Sequence, residues 1–433
     1  MTSTKITYLT FDLPTKKGYV FGGVGTSIYS TIRVMKKHIV TIICPKFKTT
    51  PKKFQGINVF SLDVFDSYKY DSLNKFVNIY GYKKFIDEFN RVIKRCNIST
   101  NIVYLEGIEL GNLSCFFKNR QYVVYSHLQW LSSEYIYNLL TNKSMYVSKK
   151  IRIFRFFFGF YFIFILFFRL LYLISYNFYF ANRNYYICGE INALRYSDKI
   201  FVCSNGQKKF LQLIYMSKIR KKIYDVPSIL PNVKYIQYNK KNINNFVSSF
   251  KKKYSISQND FVILSFSRIN PQKAIERLFF SVKLLEKKIN PKLIKVFIVG
   301  DCINSDKVYF EYLNLLSLTL KSQTFFIQGL YNEEKIGIFD LSSVFVLLSN
   351  FEPFGLTFID ALNSGIPILC SRTHASLDIF GEKSDCLIDF SKKNSNKFLS
   401  RKLYAIYRGN APSTKNILPS VQELSNQYKQ ILA

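Results

Sequence analysis

Glu352 and Asp360 lie eight positions apart at the two ends of Glu352-Pro-Phe-Gly-Leu-Thr-Phe-Ile-Asp360. Before them, Val344 to Leu348 carries no charge and is rich in β-branched and aromatic residues, as a buried parallel strand requires. Pro353-Phe354-Gly355 is the punctuation at which such a strand turns into a helix. At the helix start the N–H groups of Gly355, Leu356 and Thr357 have no intrahelical partner and sit at the positive end of the dipole, a suitable seat for a diphosphate. The same stretch also fits a plain βα unit in which one acid caps the helix and the other lies on its face.

Two cations add to this chemistry. Arg268 and Lys273, five positions apart, occupy a strand-to-helix loop, SRINPQK, from which both could reach one diphosphate. His127 follows the strand Gln121 to Tyr125, at the kind of strand end where open α/β sheets hold ligands, and could donate to a sugar hydroxyl or orient an acceptor. Of the other histidines, His38 starts a strand and His374 is expected in a loop. Gly22, Gly23 and Gly25 form a glycine-rich turn after the first strand, Lys5 to Phe11, where small residues let backbone approach a phosphate or sugar. Their spacing is not that of the dinucleotide fingerprint.

These groups need a scaffold, and the chain supplies alternating strand and helix patterns along its length. Strands are expected at His38–Cys44, Ile57–Ser61, Asn101–Leu105, Lys199–Cys203, Phe261–Ser267, Ile294–Gly300, Thr324–Gln328 and Cys386–Asp389, with a long helix over Asp71–Cys96. Tyr238 to Lys253, rich in Lys and Asn, reads as a connecting region. The expected division is an N-terminal domain over 1–233, a C-terminal domain over 234–415 and a final helical segment over 416–433.

At 433 residues the chain can bury two or three cores. Lys and Arg number 61 against 28 Asp and Glu, a net charge of +33 spread through the sequence, which points to an anionic partner: a membrane surface, nucleic acid or a phosphorylated substrate. The eight cysteines show neither C-x-x-C spacing nor metal-ligand pairing and read as reduced thiols of a cytoplasmic protein. The N-terminus enters a strand directly, without a basic-then-apolar leader.

One segment stands apart. Residues 151–180 include FRFFFGFYFIFILFFRLLYLISYNFYF, aromatic and aliphatic almost throughout, with Arg169 inside. A true span would separate the two halves of the chain across a membrane, so an interfacial or re-entrant segment is expected, with Arg152, Arg155, Arg169 and tyrosines at the headgroups. A hydrophobic helix buried in the first domain or in a dimer interface is the other reading.

In order and spacing, the glycine turn, the His127 strand end, Arg268 with Lys273, Val299-Gly300-Asp301 and EPFGLTFID-ALNSGIPI resemble the family 4 retaining glycosyltransferases of group 1 type. Asp360 replaces the second glutamate of their E-x7-E pattern. The resemblance implies an α/β GT-B architecture, two Rossmann-like domains facing across a cleft, with the aromatic insert in the N-terminal one and the last helix crossing back to it. It implies transfer of a hexose-type sugar, with retention, from a nucleoside-diphosphate sugar of UDP or GDP type. Glu352 and His127 then belong to the catalytic centre, and Arg268, Lys273, Gly355, Leu356, Thr357 and Asp360 to the donor site. In that family the loop containing Gln328 and Gly329 holds the base. Glu352 would hydrogen-bond the donor sugar, and Asp360 the ribose, with one methylene less reach. No D-x-D triplet occurs, so neither a bridging metal nor another cofactor is called for. The insert points to a lipid-linked or glycan acceptor and to a peripheral place on the inner face of the membrane, with no nucleic-acid partner. A nucleotide-sugar 2-epimerase of the same fold, or a non-catalytic basic membrane- or nucleic-acid-binding protein, are the competing readings. The first wants more acids and histidines than are present, and the second leaves Glu352, Arg268 and Lys273 unexplained.

Overall fold

The computed structural model describes residues 5–11, 28, 31–32, 35, 37–46, 50–66, 73–100, 102–119, 122–128, 184–214, 220–226, 239–302, 306–412 and 420–432. Gly22, Gly23, Gly25, the aromatic segment 151–180 and the turn 227–232 lie outside them. Among the described residues no helix is long and apolar enough to cross a membrane. Among the described residues, 5–128, 184–226 and 420–432 belong to one compact unit and 239–412 to the other.

The first unit contains β1 (Ile6–Thr10), β2 (Ile39–Lys46), β3 (Lys53–Phe54), β4 (Ile57–Asp66), β5 (Ile102–Glu106), β6 (Val123–Leu128), β7 (Lys199–Val202) and β8 (Ile223–Asp225). They lie in the order β3-β4-β2-β1-β5-β6-β7-β8, parallel except for the small β3–β4 hairpin. Strands such as IVYLE are buried along their whole length because helices cover both faces. On one face Phe85, Phe89 and Val92 of helix Leu73–Arg95 meet Val103, Leu105 and Val124. On the other, Leu424, Tyr428 and Leu432 of helix Val421–Leu432 join Ile6, Tyr8, Tyr104 and Phe201. Their spacing of four puts these side chains on one helix face.

The second unit contains β9 (Phe261–Phe266), β10 (Ile294–Val299), β11 (Gln323–Ile327), β12 (Val344–Leu347), β13 (Ile368–Ser371) and β14 (Leu387–Ile388), all parallel. The order β11-β10-β9-β12-β13-β14 is that of a doubly wound nucleotide fold, in which the strand order reverses between β9 and β12. Loops leaving the C-terminal ends of those two strands diverge there and leave a crevice.

Three expectations are corrected. Residues 240–253 are a helix, Lys240–Lys253, rather than a connecting region. Its Lys and Asn residues hide an apolar stripe, Ile243, Phe246, Val247 and Phe250, at helical spacing, and the Asn239 side chain caps it by accepting from the Lys241 N–H. Phe246 packs so close to Gly337 that a Cβ there would lie 2.5 Å from its ring, so the glycine is what admits the helix. His374 is not in a loop but opens helix His374–Phe380, behind a capping box between Thr373 and Ser376. Finally, β6 continues to Leu128, which places His127 inside the strand and not after it.

Gly300 fixes the crossover of β9 and β10. A Cβ on it would lie 1.8 Å from the Ser267 carbonyl oxygen, the point from which the Arg268 loop departs. Gly300→Ala is therefore expected to lower the unfolding free energy by about 1–3 kcal/mol through overpacking. Gly409→Ala, with nothing near its Cβ, is expected to cost only about 1–2 kcal/mol of left-handed backbone strain. Urea unfolding of the two variants checks the contrast, and Gly300→Ala should also disturb ligand binding at the Arg268 loop while Gly409→Ala should not.

Candidate active site

Arg268, Lys273, Glu352, Gly355, Leu356, Thr357 and Asp360 lie on the loops and helix that leave β9 and β12 at the switch point, while Gln328 and Gly329 follow β11 at the sheet's edge. After β9 the chain runs Ser267–Asn270, makes a single turn over Pro271–Lys273, and passes through Ala274 in the left-handed region (φ 47°) before helix Glu276–Leu285. Ser267 N–H donates to Val299 O at 2.9 Å and Ile269 N–H to Asp301 O at 2.9 Å, which lashes this loop to the end of β10. After β12 the chain runs Leu348–Gly355 into helix Leu356–Asn363.

A half-buried arginine clamps the two loops together. Arg277 donates from Nη1 to Leu348 O at 2.9 Å and from Nη2 to Asn350 Oδ1. Asn350 N–H donates to Gln272 O at 2.8 Å, and Gln272 Nε2 to Phe351 O at 2.9 Å. Burial pulls the Arg277 pKa below its ordinary value, partly offset by Glu276 and Tyr309. A guanidinium whose donors are matched to fixed acceptors tolerates that burial.

The clamp sets Lys273 and Glu352 against each other. Lys273 Nζ lies 2.7 Å from Glu352 Oε2, with both side chains largely enclosed. Ser349 Oγ donates to the same Oε2 at 2.9 Å, and Ser371 Oγ holds Ser349 by its carbonyl at 2.5 Å. One carboxylate oxygen is thus committed, while Oε1 has no partner among the described residues. Lys273 keeps two of its three ammonium N–H donors unengaged among the described residues. Arg268 is exposed on the same loop, and its guanidinium has no partner among the described residues.

Gly355 is the N-cap of helix Leu356–Asn363 in a left-handed conformation (φ 75°, ψ 55°). A Cβ there would fall 2.4 Å from the Phe358 ring, so only glycine lets the chain turn into the helix at this place. The N–H groups of Gly355, Leu356 and Thr357 accordingly stay outside the helical ladder, whose first closing bond is Phe358 N–H to Gly355 O at 2.9 Å. Asp360, inside the helix, faces Lys335 Nζ at 2.6 Å. On the neighbouring loop Asp301 accepts from Gly329 N–H at 3.1 Å and from Tyr331 OH at 2.8 Å. The Gly329 N–H is therefore already used, while Gln328 is exposed. Sequence reading passed over Ser349, Arg277, Asn350 and Lys335. Only Ser349, three residues before Glu352 at a strand end, stood at a place where its role could have been anticipated.

His127 is elsewhere, in the first unit, and its environment differs from the exposed strand end anticipated for it. It has no exposed surface. Nδ1 lies 3.0 Å from Glu106 Oε1, Nε2 lies 3.6 Å from Cys203 Sγ, and Tyr8 OH donates to the other side of the Glu106 carboxylate. Burial alone would push the imidazole pKa down, but the Glu106 carboxylate and the Cys203 contact outweigh it and raise the pKa to about 10. The ring is an imidazolium held in the core, so its ion pair contributes stability fully below the unfolded value of about 6.5, which is lost as pH rises toward about 10. The melting temperature is expected to fall as pH is raised from about 6.5 to 8.5, and His127→Gln to start lower and lose that slope. Differential scanning calorimetry across the pH series checks both.

Residues 246–424 match the family described as glycosyl transferases group 1. No curated protein matches the sequence. Among solved structures, sucrose-phosphate synthase from Thermosynechococcus elongatus shares 13% identity over 99% of this chain and 94% of its own, at a TM-score of 0.64. WaaG, a glycosyltransferase involved in lipopolysaccharide biosynthesis, shares 12% over 99% of each chain at 0.59. Anabaena HepE in complex with UDP-glucose shares 11% over 99% of each at 0.56. At such identities the likeness is one of fold, two parallel α/β sheets of GT-B type. The match over residues 246–424 and the GT-B fold make the chain, by class, a glycosyltransferase.

Proposed function

We propose that the chain is a retaining, family 4 type glycosyltransferase that moves a hexose-type sugar from a nucleoside-diphosphate sugar, of UDP or GDP type, to a lipid-linked or glycan acceptor at the inner membrane face. One observation carries the donor half of this reading: Lys273 and Glu352 meet at 2.7 Å beside an uncapped helix N-terminus, at the point where the sheet order reverses. The UDP-glucose held by the Anabaena neighbour supports the donor class.

The chemistry follows from the parts. As the bond between the anomeric carbon and the diphosphate oxygen breaks, negative charge grows on the diphosphate and positive charge on the sugar ring. Arg268, the remaining N–H donors of Lys273 and the amides of Gly355 to Thr357 are fixed donors for the first. Glu352 Oε1, unengaged among the described residues, is the acceptor for the sugar hydroxyls and the counter-charge for the ring. Lys273 links the two, because the ammonium that holds Glu352 also faces the leaving group. No resident cofactor enters this scheme. His127, enclosed in its own ion pair, is assigned to holding the first unit's sheet and no longer to touching sugar.

The acceptor half rests on the composition of residues 156–180 and on the net charge of +33, which suit a segment lying at an anionic membrane surface. WaaG, whose stated role is in lipopolysaccharide biosynthesis, is a neighbour consistent with it.

Thermal stabilisation by a panel of UDP-, GDP- and ADP-sugars should single out one nucleotide. With that donor, Glu352→Ala should lower kcat by about 10²–10³, the loss expected for one preorganised electrostatic contact, and leave nucleotide binding nearly intact. Arg268→Ala should weaken the nucleotide itself. No stabilisation by any nucleotide sugar would overturn the donor reading. Free solubility with the aromatic segment intact, together with equal transfer to a water-soluble sugar and to a lipid-linked one, would overturn the acceptor reading.

A further inference from the structure

Two thiols meet on the seam between β13 and β14. Cys370 lies inside β13, and Cys386 stands directly before β14. In that parallel register the Cys370 N–H donates to the Cys386 carbonyl at 2.9 Å, and the two Sγ atoms come within 3.9 Å of each other. Both are free thiols.

Their surroundings differ. Cys370 is enclosed in the sheet, whereas Cys386 lies just beneath a surface loop in which Glu382, Lys383 and Asp385 are exposed. Ser384 Oγ is 3.1 Å from the Cys386 sulfur, and Lys402 of helix Ser395–Tyr407 reaches the same loop through Asp385 at 3.4 Å. A hydrogen bond from Cys370, helped by Ser384 and the charge of Lys402, lowers the Cys386 pKa against the opposing effect of burial, while burial raises that of Cys370. Cys386 is therefore the member that ionises, with a protonated thiol within reach behind it. A thiolate beside a second thiol is the arrangement that a peroxide converts to a disulfide.

The seam also connects to Glu352. Ser371, the residue after Cys370, donates to the Ser349 carbonyl, and Ser349 Oγ donates to Glu352 Oε2. Joining the sulfurs draws β13 and the start of β14 together by up to about 2 Å. Because β13 lies between β14 and β12, that closure pulls Ser371 away from Ser349.

We propose that Cys370 and Cys386 form an oxidisable dithiol whose disulfide slows transfer at the neighbouring donor site. The Cys386 thiolate attacks one oxygen of hydrogen peroxide; the O–O bond breaks, hydroxide leaves and takes up a proton, and a sulfenic acid remains. The Cys370 sulfur then attacks Cys386, the S–S bond forms, and the sulfenic oxygen leaves as water with the Cys370 proton. Two thiols are oxidised and one peroxide is reduced to two waters, and thiol–disulfide exchange with an added dithiol restores both thiols. The cross-link is independent of substrate, while its effect on rate rests on the donor reading above.

The test treats the full chain with hydrogen peroxide, alkylates the remaining thiols after denaturation, and maps tryptic peptides by mass spectrometry. Cleavage after Arg372 and Lys383 puts the two cysteines in separate peptides, so the link joins them with the loss of two hydrogens. Linked peptides that dithiothreitol separates are expected, together with a fall in sugar transfer of about three- to tenfold, the range for one displaced hydrogen bond, that dithiothreitol reverses. Cys370→Ala should keep its rate through the same treatment; should that variant fail to fold, Cys386→Ser takes its place. Oxidation of the exposed Cys188 with Cys370 and Cys386 both still alkylated overturns the proposal, as does a link that leaves the rate unchanged. Absence of transfer by the reduced chain with every nucleotide sugar sinks the proposed function instead, and the linked peptides still decide the dithiol.

Discussion

The ion pair between Lys273 and Glu352 is the contact on which the chemistry proposed for the second unit depends, because neither residue could be where it is without the rest of the switch point. A carboxylate largely enclosed at the end of a parallel sheet is costly unless it is paired and hydrogen-bonded. Lys273 and Ser349 meet that requirement on one oxygen and leave the other without a partner among the described residues. The two loops that carry the pair are joined by Arg277, Asn350 and Gln272, so the acid and the base are set by buried polar contacts and not by exposed side chains searching for each other. Pre-set groups of this kind lose little entropy when charge develops beside them.

The first unit shows the same principle used for a different end. Glu106 and His127 form a second enclosed acid–base pair, on neighbouring strands of the other sheet, but both ring nitrogens are occupied and the side chain has no exposed surface. Tyr428 of the last helix packs into the core built on these strands, beside Tyr8 and Tyr104. What distinguishes the two pairs is the vacant carboxylate oxygen and the adjoining helix terminus of the second unit. An acid–base pair becomes a site where one of its acceptors is left over.

Much of the second unit was legible in the residues. A charge-free strand followed by Pro-Phe-Gly announced the turn into helix Leu356–Asn363, and the glycine proved to be its left-handed cap. Arg268 and Lys273 were legible as loop cations because the strand before them and the Asn-Pro between them leave little room for another reading. Helix Lys240–Lys253 was not, since its four apolar residues are diluted by Lys and Asn, and the partner that makes them a stripe, Gly337, lies far along the chain. His127 was misplaced by a boundary error of a few residues: polar Ser126 and His127 looked like the end of a strand, yet Ser197, Glu106 and Cys203 wait in the core to receive them. The pairing of Asp360 with Lys335, and the clamp by Arg277, are tertiary facts with no local pattern.

The most direct measurement of the central claim is a double-mutant cycle on Lys273 and Glu352. Transfer rates with the stabilising nucleotide sugar are compared for Lys273→Met, Glu352→Gln and the double variant. If the two side chains act as one unit, the double variant should lose little more than the worse single, a coupling of about 1–3 kcal/mol. Losses that simply multiply would mean that the pair seen at the switch point is not what organises the chemistry.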